Sequence, residues 1–247
     1  MKKFRTQNAK LGMTLAVAAA LGVIGFNVDL PANWLYAAGR ADLAKPCYEV
    51  MTSFALDLKM NNERTADALC HLAQCHAASG DVDSAIKVEQ RAINMYKQSV
   101  GAESTPVFLG MARLGGFLNQ EGSYARAEMI LGDAVQGLER AQVPDTEAVA
   151  NVYAELADTY SAQGKHFKAI SVLEKLLPID ERLMMQKQTS VDSYEALAAI
   201  YARQGRINLS RQTIEAGIKL KERILGANSV QVAQSQKKLA ELSSAAN

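Results

Sequence analysis

The stretch Met111-Ala112-Arg113-Leu114-Gly115-Gly116-Phe117-Leu118-Asn119-Gln120-Glu121-Gly122-Ser123-Tyr124-Ala125-Arg126-Ala127 decides how the rest of the chain is read. Met111, Leu114, Gly115 and Leu118 fall at i, i+3, i+4 and i+7, one face of a helix. Gly122 ends that helix, because glycine takes the left-handed conformation after a helix without a Cβ clash. Ala127, Leu131, Ala134 and Leu138 then form the stripe of a second helix. The small residues at Ala127 and Ala134 let the two helices approach closely.

This unit repeats, and repeats at a fixed period set the architecture. Leu-Ala or Leu-Gly occurs at Leu72-Ala73, Leu114-Gly115, Leu156-Ala157, Leu197-Ala198 and Leu239-Ala240, at spacings of 42, 42, 41 and 42 residues. Gly80, Gly122, Gly164 and Gly205 follow the first four pairs, and Ala85, Ala127, Ala169 and Ser210 follow the glycines. Leu176 and Gly217 break the alanine pattern of the second helix in the last two units.

A large apolar residue, Leu, Ala or Gly, an aromatic, Gly and Ala at these offsets resemble the tetratricopeptide repeat. The longer unit resembles the 42-residue variant of kinesin light chains, and Val100-Gly101-Ala102-Glu103 is echoed by Leu225-Gly226-Ala227-Asn228. The resemblance implies an all-α fold, a right-handed α-solenoid of about four full repeats with capping helices. The repeats start near residues 66, 108, 150 and 191, giving 66–107, 108–149, 150–190 and 191–231, with a C-terminal capping helix over 232–243. Residues 39–65 make an N-terminal cap or partial repeat, with Leu43–Lys59 as its helix. Pro178 is expected to kink or break the second helix of the third repeat, leaving a short helix and a longer loop.

The resemblance also implies a concave groove lined by the first helices. On that face lie Asp67, Gln74, Asn119, Asn151, Asp158, Asp192 and Glu195, with Arg203 beside them. The Lys/Asn/Arg clamp with which some members hold a C-terminal carboxylate is missing. So is the asparagine pair that kinesin light chains carry before Leu-Ala, so a kinesin partnership is not implied.

The N-terminus reads differently. Lys2, Lys3, Arg5 and Lys10 precede an uncharged run from Leu11 to Val28, the layout of a secretory signal or an uncleaved anchor. Residues 1–38 are therefore assigned to targeting and placed outside the fold, with Ala32, Ala37 and Ala38 as imperfect cleavage candidates. Trp34 and Tyr36 suit a membrane interface if the segment stays. The absence of an Arg pair argues against a twin-arginine signal, and Ala44-Lys45-Pro46 before Cys47 argues against lipidation. The expected location is exported, periplasmic or secreted, or anchored to the membrane by this segment.

Composition excludes several classes. The 247 residues are 49% hydrophobic and 21% charged, so wholesale disorder is excluded. A net charge of +1 gives no reason to seek a polyanion. No phosphate loop, dinucleotide fingerprint, paired-histidine metalloprotease helix or nucleophile elbow is present, and no catalytic residue is assigned. Cys70-His71-Leu72-Ala73-Gln74-Cys75-His76 invites a metal or haem reading, but only His71 and Cys75 share a helix face cleanly. His76 instead occupies the repeat's aromatic position, so no cofactor is expected. In an oxidising compartment Cys47 is a candidate to bridge to Cys70 or Cys75, because consecutive helices pack.

The expected function is a non-catalytic interaction module that holds a peptide or helix of another protein in its groove. The alternatives are a membrane-tethered spacer or self-associating scaffold, and a metal or haem protein built on Cys70, Cys75 and the nearby histidines.

Overall fold

The computed structural model describes residues 31–185 and 193–244, and among them are eleven helices and no strand. The expectations for residues 1–30, for the start of the fourth repeat near residue 191 and for Asp192 lie outside the described residues. The chain divides into two compact units, residues 1–123 and 124–247.

The first unit contains α1 (Pro31–Ala37), α2 (Ala41–Asp57), α3 (Glu63–Ala78), α4 (Val82–Ser99) and α5 (Thr105–Glu121). Each packs on the next in chain order. Local chemistry sets the starts: the Asn62 side chain accepts the Thr65 N–H, and Asp81 accepts the Ser84 N–H. These acceptors satisfy donors that a helix start leaves open. Gly122 ends α5 at φ 86°, as its position requires. Gly80, Gly164 and Gly205 share this backbone, and so does Gly39 at φ 74°, one period upstream.

Gly39 marks a departure from the sequence reading. Residues 31–38 are not outside the fold. Ala32 is fully buried, and Leu35 and Tyr36 pack on the cluster formed by Ala44, Cys47, Tyr48, Met51 and Cys75. The Tyr48 hydroxyl donates to Asn33 Oδ1 at 2.7 Å. An apolar stretch before the first recognisable repeat looks the same in sequence whether it targets the chain or packs against it.

The second unit contains α6 (Tyr124–Arg140), α7 (Glu147–Ala162), α8 (His166–Met185), α9 (Ser193–Arg203), α10 (Ile207–Leu225) and α11 (Val230–Ser244), again packed in sequence. The Thr146 hydroxyl accepts the Val149 N–H and starts α7. α8 runs through Pro178 for 20 residues, so the expected break and long loop are absent. Leu173 and Leu176 before the proline, and Ile179 and Leu183 after it, are all buried. Burial on both sides holds the helix together despite the missing N–H.

The repeat positions form the core. Leu72, Leu114, Leu156 and Leu197 are buried, and Leu239 on the terminal helix is half-buried. Ala85, Ala92, Ala127, Ala134 and Ala169 are fully buried. The broken alanine positions have their own reasons. Leu176 fills its place completely. At Gly217 a Cβ would lie 2.8 Å from the Tyr194 Cβ, so α10 and α9 meet there only because glycine has none.

Candidate functional site

In the first unit, the face expected to bind is partly exposed and partly committed. Asp67 on α3 is exposed and accepts the Tyr96 hydroxyl at 2.5 Å. Gln74 on α3 and Asn119 on α5 are half-buried. The same unit holds a charged group that the sequence reading did not single out. Glu89 on α4 is fully buried, and Arg113 on α5 donates Nε to its Oε1 at 2.9 Å. A second guanidinium nitrogen, Arg113 Nη2, is 2.9 Å from Cys70 Sγ. Burial and the Glu89 charge push the Cys70 thiol up to about 12, so it is a neutral thiol at physiological pH. Burial also pushes the Glu89 carboxyl up, against the pull of Arg113. The signal was available: Glu89 stands at the repeat position that holds Leu131, Leu173 and Ile214.

The cysteines do not pair. Cys47, Cys70 and Cys75 are free and buried, so the expected bridge from Cys47 to Cys70 or Cys75 is not present. Cys70 is engaged by Arg113, while Cys47 and Cys75 share the apolar cluster under α1. The run from Cys70 to His76 is also dispersed. The His71 ring stacks on Tyr48 at 5.3 Å and meets Tyr36 at 5.2 Å. His76 Nδ1 turns to Asp81 Oδ2 at 3.1 Å. Among the described residues no three His, Cys, Asp or Glu side chains converge as a metal site.

In the second unit, α7 and α9 present Asn151, Asp158 and Arg203, all exposed. Arg203 Nη1 donates to Ser161 Oγ at 2.6 Å, linking the two first helices on this face. Desolvation holds the Asp158 carboxyl above its usual range although the residue as a whole is exposed, with the Arg203 charge opposing. This face therefore offers an amide, a hydroxyl, a cation and a carboxyl that gains from a donor.

Glu195 departs from expectation. It does not stand free on the groove face. Its Oε1 takes Lys221 Nζ at 3.2 Å and the Ser235 hydroxyl at 2.6 Å, and Lys238 reaches its Oε2. Lys221 also donates to Ser235 Oγ at 2.7 Å. Glu195 thus ties α9 to α10 and α11. A cavity of about 620 Å³ opens beside it, lined by Asp180, Ser193, Tyr194 and Lys237 among others. Sequence spacing cannot reveal this, because Ser235 lies 40 residues away.

Among the described residues no helix is long and apolar enough to cross a membrane.

Comparison with known proteins follows the same division into repeats. Two family models described as tetratricopeptide repeat match residues 65–105 and 108–182. No curated protein matches the sequence. Among solved structures, kinesin-light-chain TPR-like repeats of Podosopora anserina share 18% identity, with a TM-score of 0.66, over 78% of this chain and 92% of theirs. BtubC (BKLC) from P. vanneervenii shares 19% identity, with a TM-score of 0.68, over 81% of this chain and 80% of its own. A Rap protein solved with competence and sporulation factor shares 14%, with a TM-score of 0.63, over 87% and 63%. At these identities the likeness establishes the fold. Glycine-punctuated helix pairs at a period of about 42 residues and the two matched models agree, and residues 65–105 and 108–182 are tetratricopeptide repeats.

Proposed function

We propose that this chain is a non-catalytic scaffold that binds another protein along the faces of its first helices. The fold supports a role in protein–protein interaction, since solenoid repeats offer extended surfaces for that use. The observation that carries the finer reading is the α7–α9 face, where Asn151, Asp158 and Arg203 are exposed and Arg203 already reaches Ser161 across the helices. An extended peptide or an amphipathic helix suits such a face, with main-chain groups meeting the amide and hydroxyl. The Rap protein, which shares the fold, was solved with a bound factor. We further propose that the basic, then apolar, N-terminus exports the chain or holds it at a membrane.

The test uses the full chain as bait on membrane and envelope extract from its host, beside the variant Asn151→Ala/Asp158→Ala/Arg203→Ala. A partner that binds the wild type at least tenfold more tightly, with the helical signal unchanged, supports the α7–α9 face. Equal binding by both baits overturns it.

A further inference from the structure

The α1–α2 hairpin differs from the hairpins that follow it. Later second helices carry charge at several positions that are apolar on α2, although they also expose Met129 and Phe167. Counting by the glycines, Val50 on α2 stands where three later repeats have Arg91, Asp133 and Lys175 and the fourth has the small Ala216, all exposed. Leu43 stands where later repeats have Ser84, Arg126, Lys168 and Leu209, and of these Arg126 and Lys168 are exposed. Phe54 stands where Met95, Ile179 and Leu220 are buried, yet it is 36% exposed. With Leu58 they form one stripe, spaced by seven, four and four residues. Trp34 on α1, the chain's single tryptophan, is 71% exposed.

The identity of the cover follows from where this hairpin sits in the chain. The uncharged run Leu11–Val28 ends three residues before Pro31. Eighteen uncharged residues are about the length of apolar sequence that spans a bilayer. α1 is packed into the fold through Ala32 and through Asn33, which accepts the Tyr48 hydroxyl. Cleavage after Ala32 would remove a buried residue of α1, and cleavage after Ala37 or Ala38 would remove α1 and its contacts with α2 altogether. Only Asp29 and Leu30 separate a retained apolar run from α1 in the sequence. The positive residues lie at the far end of that run, which places α1 on the trans side of the membrane.

We infer that the exposed apolar stripe of α2, with Trp34 of α1, lies against the lipid bilayer to which the preceding segment anchors the chain. This inference rests on the reading that the N-terminus directs the chain to a membrane. It adds that the segment is retained and that this hairpin is its second contact. Interfacial helices bury their apolar face at the headgroup boundary, and one contact reinforces the other. The nearby charges, Arg40, Lys45 and Lys59 against Asp42, Glu49 and Asp57, cancel. Contact is then apolar, independent of anionic lipid and unaffected by salt.

The full chain is reconstituted in phosphatidylcholine vesicles that carry brominated acyl chains, and tryptophan fluorescence is read at low salt and at high salt. Trp34 should be quenched at least twofold at both. In a Trp34→Phe background, Phe54→Trp should be quenched as well, while Glu49→Trp, on the opposite side of α2, should not. Quenching at 34 and 54 but not at 49 supports the inference. A Trp34 that ignores lipid bromine overturns it without any variant. An unquenched Phe54→Trp whose exposure falls as the protein concentration rises overturns it in favour of a second copy. Recovery from the host of a chain lacking residues 1–38 overturns the retained anchor as well. The α7–α9 binding assay depends on neither result, so the two readings fail separately.

Discussion

Gly217 and Glu89 are two places where one side chain departs from its repeat position. At Gly217 the departure is steric. A methyl group there would meet the Tyr194 Cβ at 2.8 Å and its Cγ at 3.0 Å. Gly217→Ala should cost about 1–3 kcal/mol, as overpacking does. The double variant with Tyr194→Gly removes both of those atoms and should lose less than the sum of the two single variants in urea unfolding, although Tyr194→Gly also removes the bond to Glu181. At Glu89 the departure is electrostatic. Glu89→Leu alone leaves Arg113 partly buried without its carboxylate and should cost about 3 kcal/mol. Glu89→Leu with Arg113→Leu restores the apolar pattern of the later repeats and should fall within about 1 kcal/mol of the wild type or above it. Asp81 gives a pH signature. Hydrogen bonds from Ser84, and the neighbouring His76, hold its carboxyl below the usual range. A depressed carboxyl contributes stability above its unfolded value and loses it as pH falls through the native one. Asp81→Asn keeps a cap at α4 and should flatten that acid-side loss in unfolding curves taken below pH 5. The glycine turns and the buried leucines were legible in the sequence, because each depends on its own neighbourhood. The Glu89–Arg113 pair was not, because its partners lie 24 residues apart.

Among the elements, α8 and α11 separate what pattern reveals from what packing decides. Pro178 argued for a break, but four buried side chains hold α8 on both sides of it. Pro178→Ala restores one backbone donor and should raise stability by up to about 3 kcal/mol, read as a higher melting temperature. α11 was legible as a cap from its Leu-Ala pair alone. Its chemistry was not, because Ser235 and Lys238 meet Glu195 only once α9, α10 and α11 are packed. Ser235 is buried and serves both Lys221 and Glu195. Ser235→Ala should therefore cost about 1–3 kcal/mol, the loss expected when buried polar groups lose a partner. Limited proteolysis of that variant should release the C-terminal helix first. The same logic explains why Glu195 read as a groove residue. It lies on a first helix, but its carboxylate is taken by Lys221 of α10 and by Ser235 and Lys238 of α11.

For the molecule as a whole, the period of about 42 residues settled the fold class, and the family match over residues 65–182 agrees with it. The period did not settle the N-terminal limit. A signal, an anchor and a packed first helix share one local pattern, and only the contacts of Ala32 and Asn33 distinguish the last for residues 31–37. The distribution of the cysteines has one more consequence. All three are buried, and all three lie in the first unit. A thiol reagent can then reach them only when the helices carrying them part, so its reaction rate is a clock for local opening. Cys47 and Cys75 time the separation of α2 from α3, and Cys70 times the parting of α3 from the Arg113 helix. The second unit carries no such reporter, so any change in labelling rate when a partner occupies α7 and α9 would measure coupling across the chain.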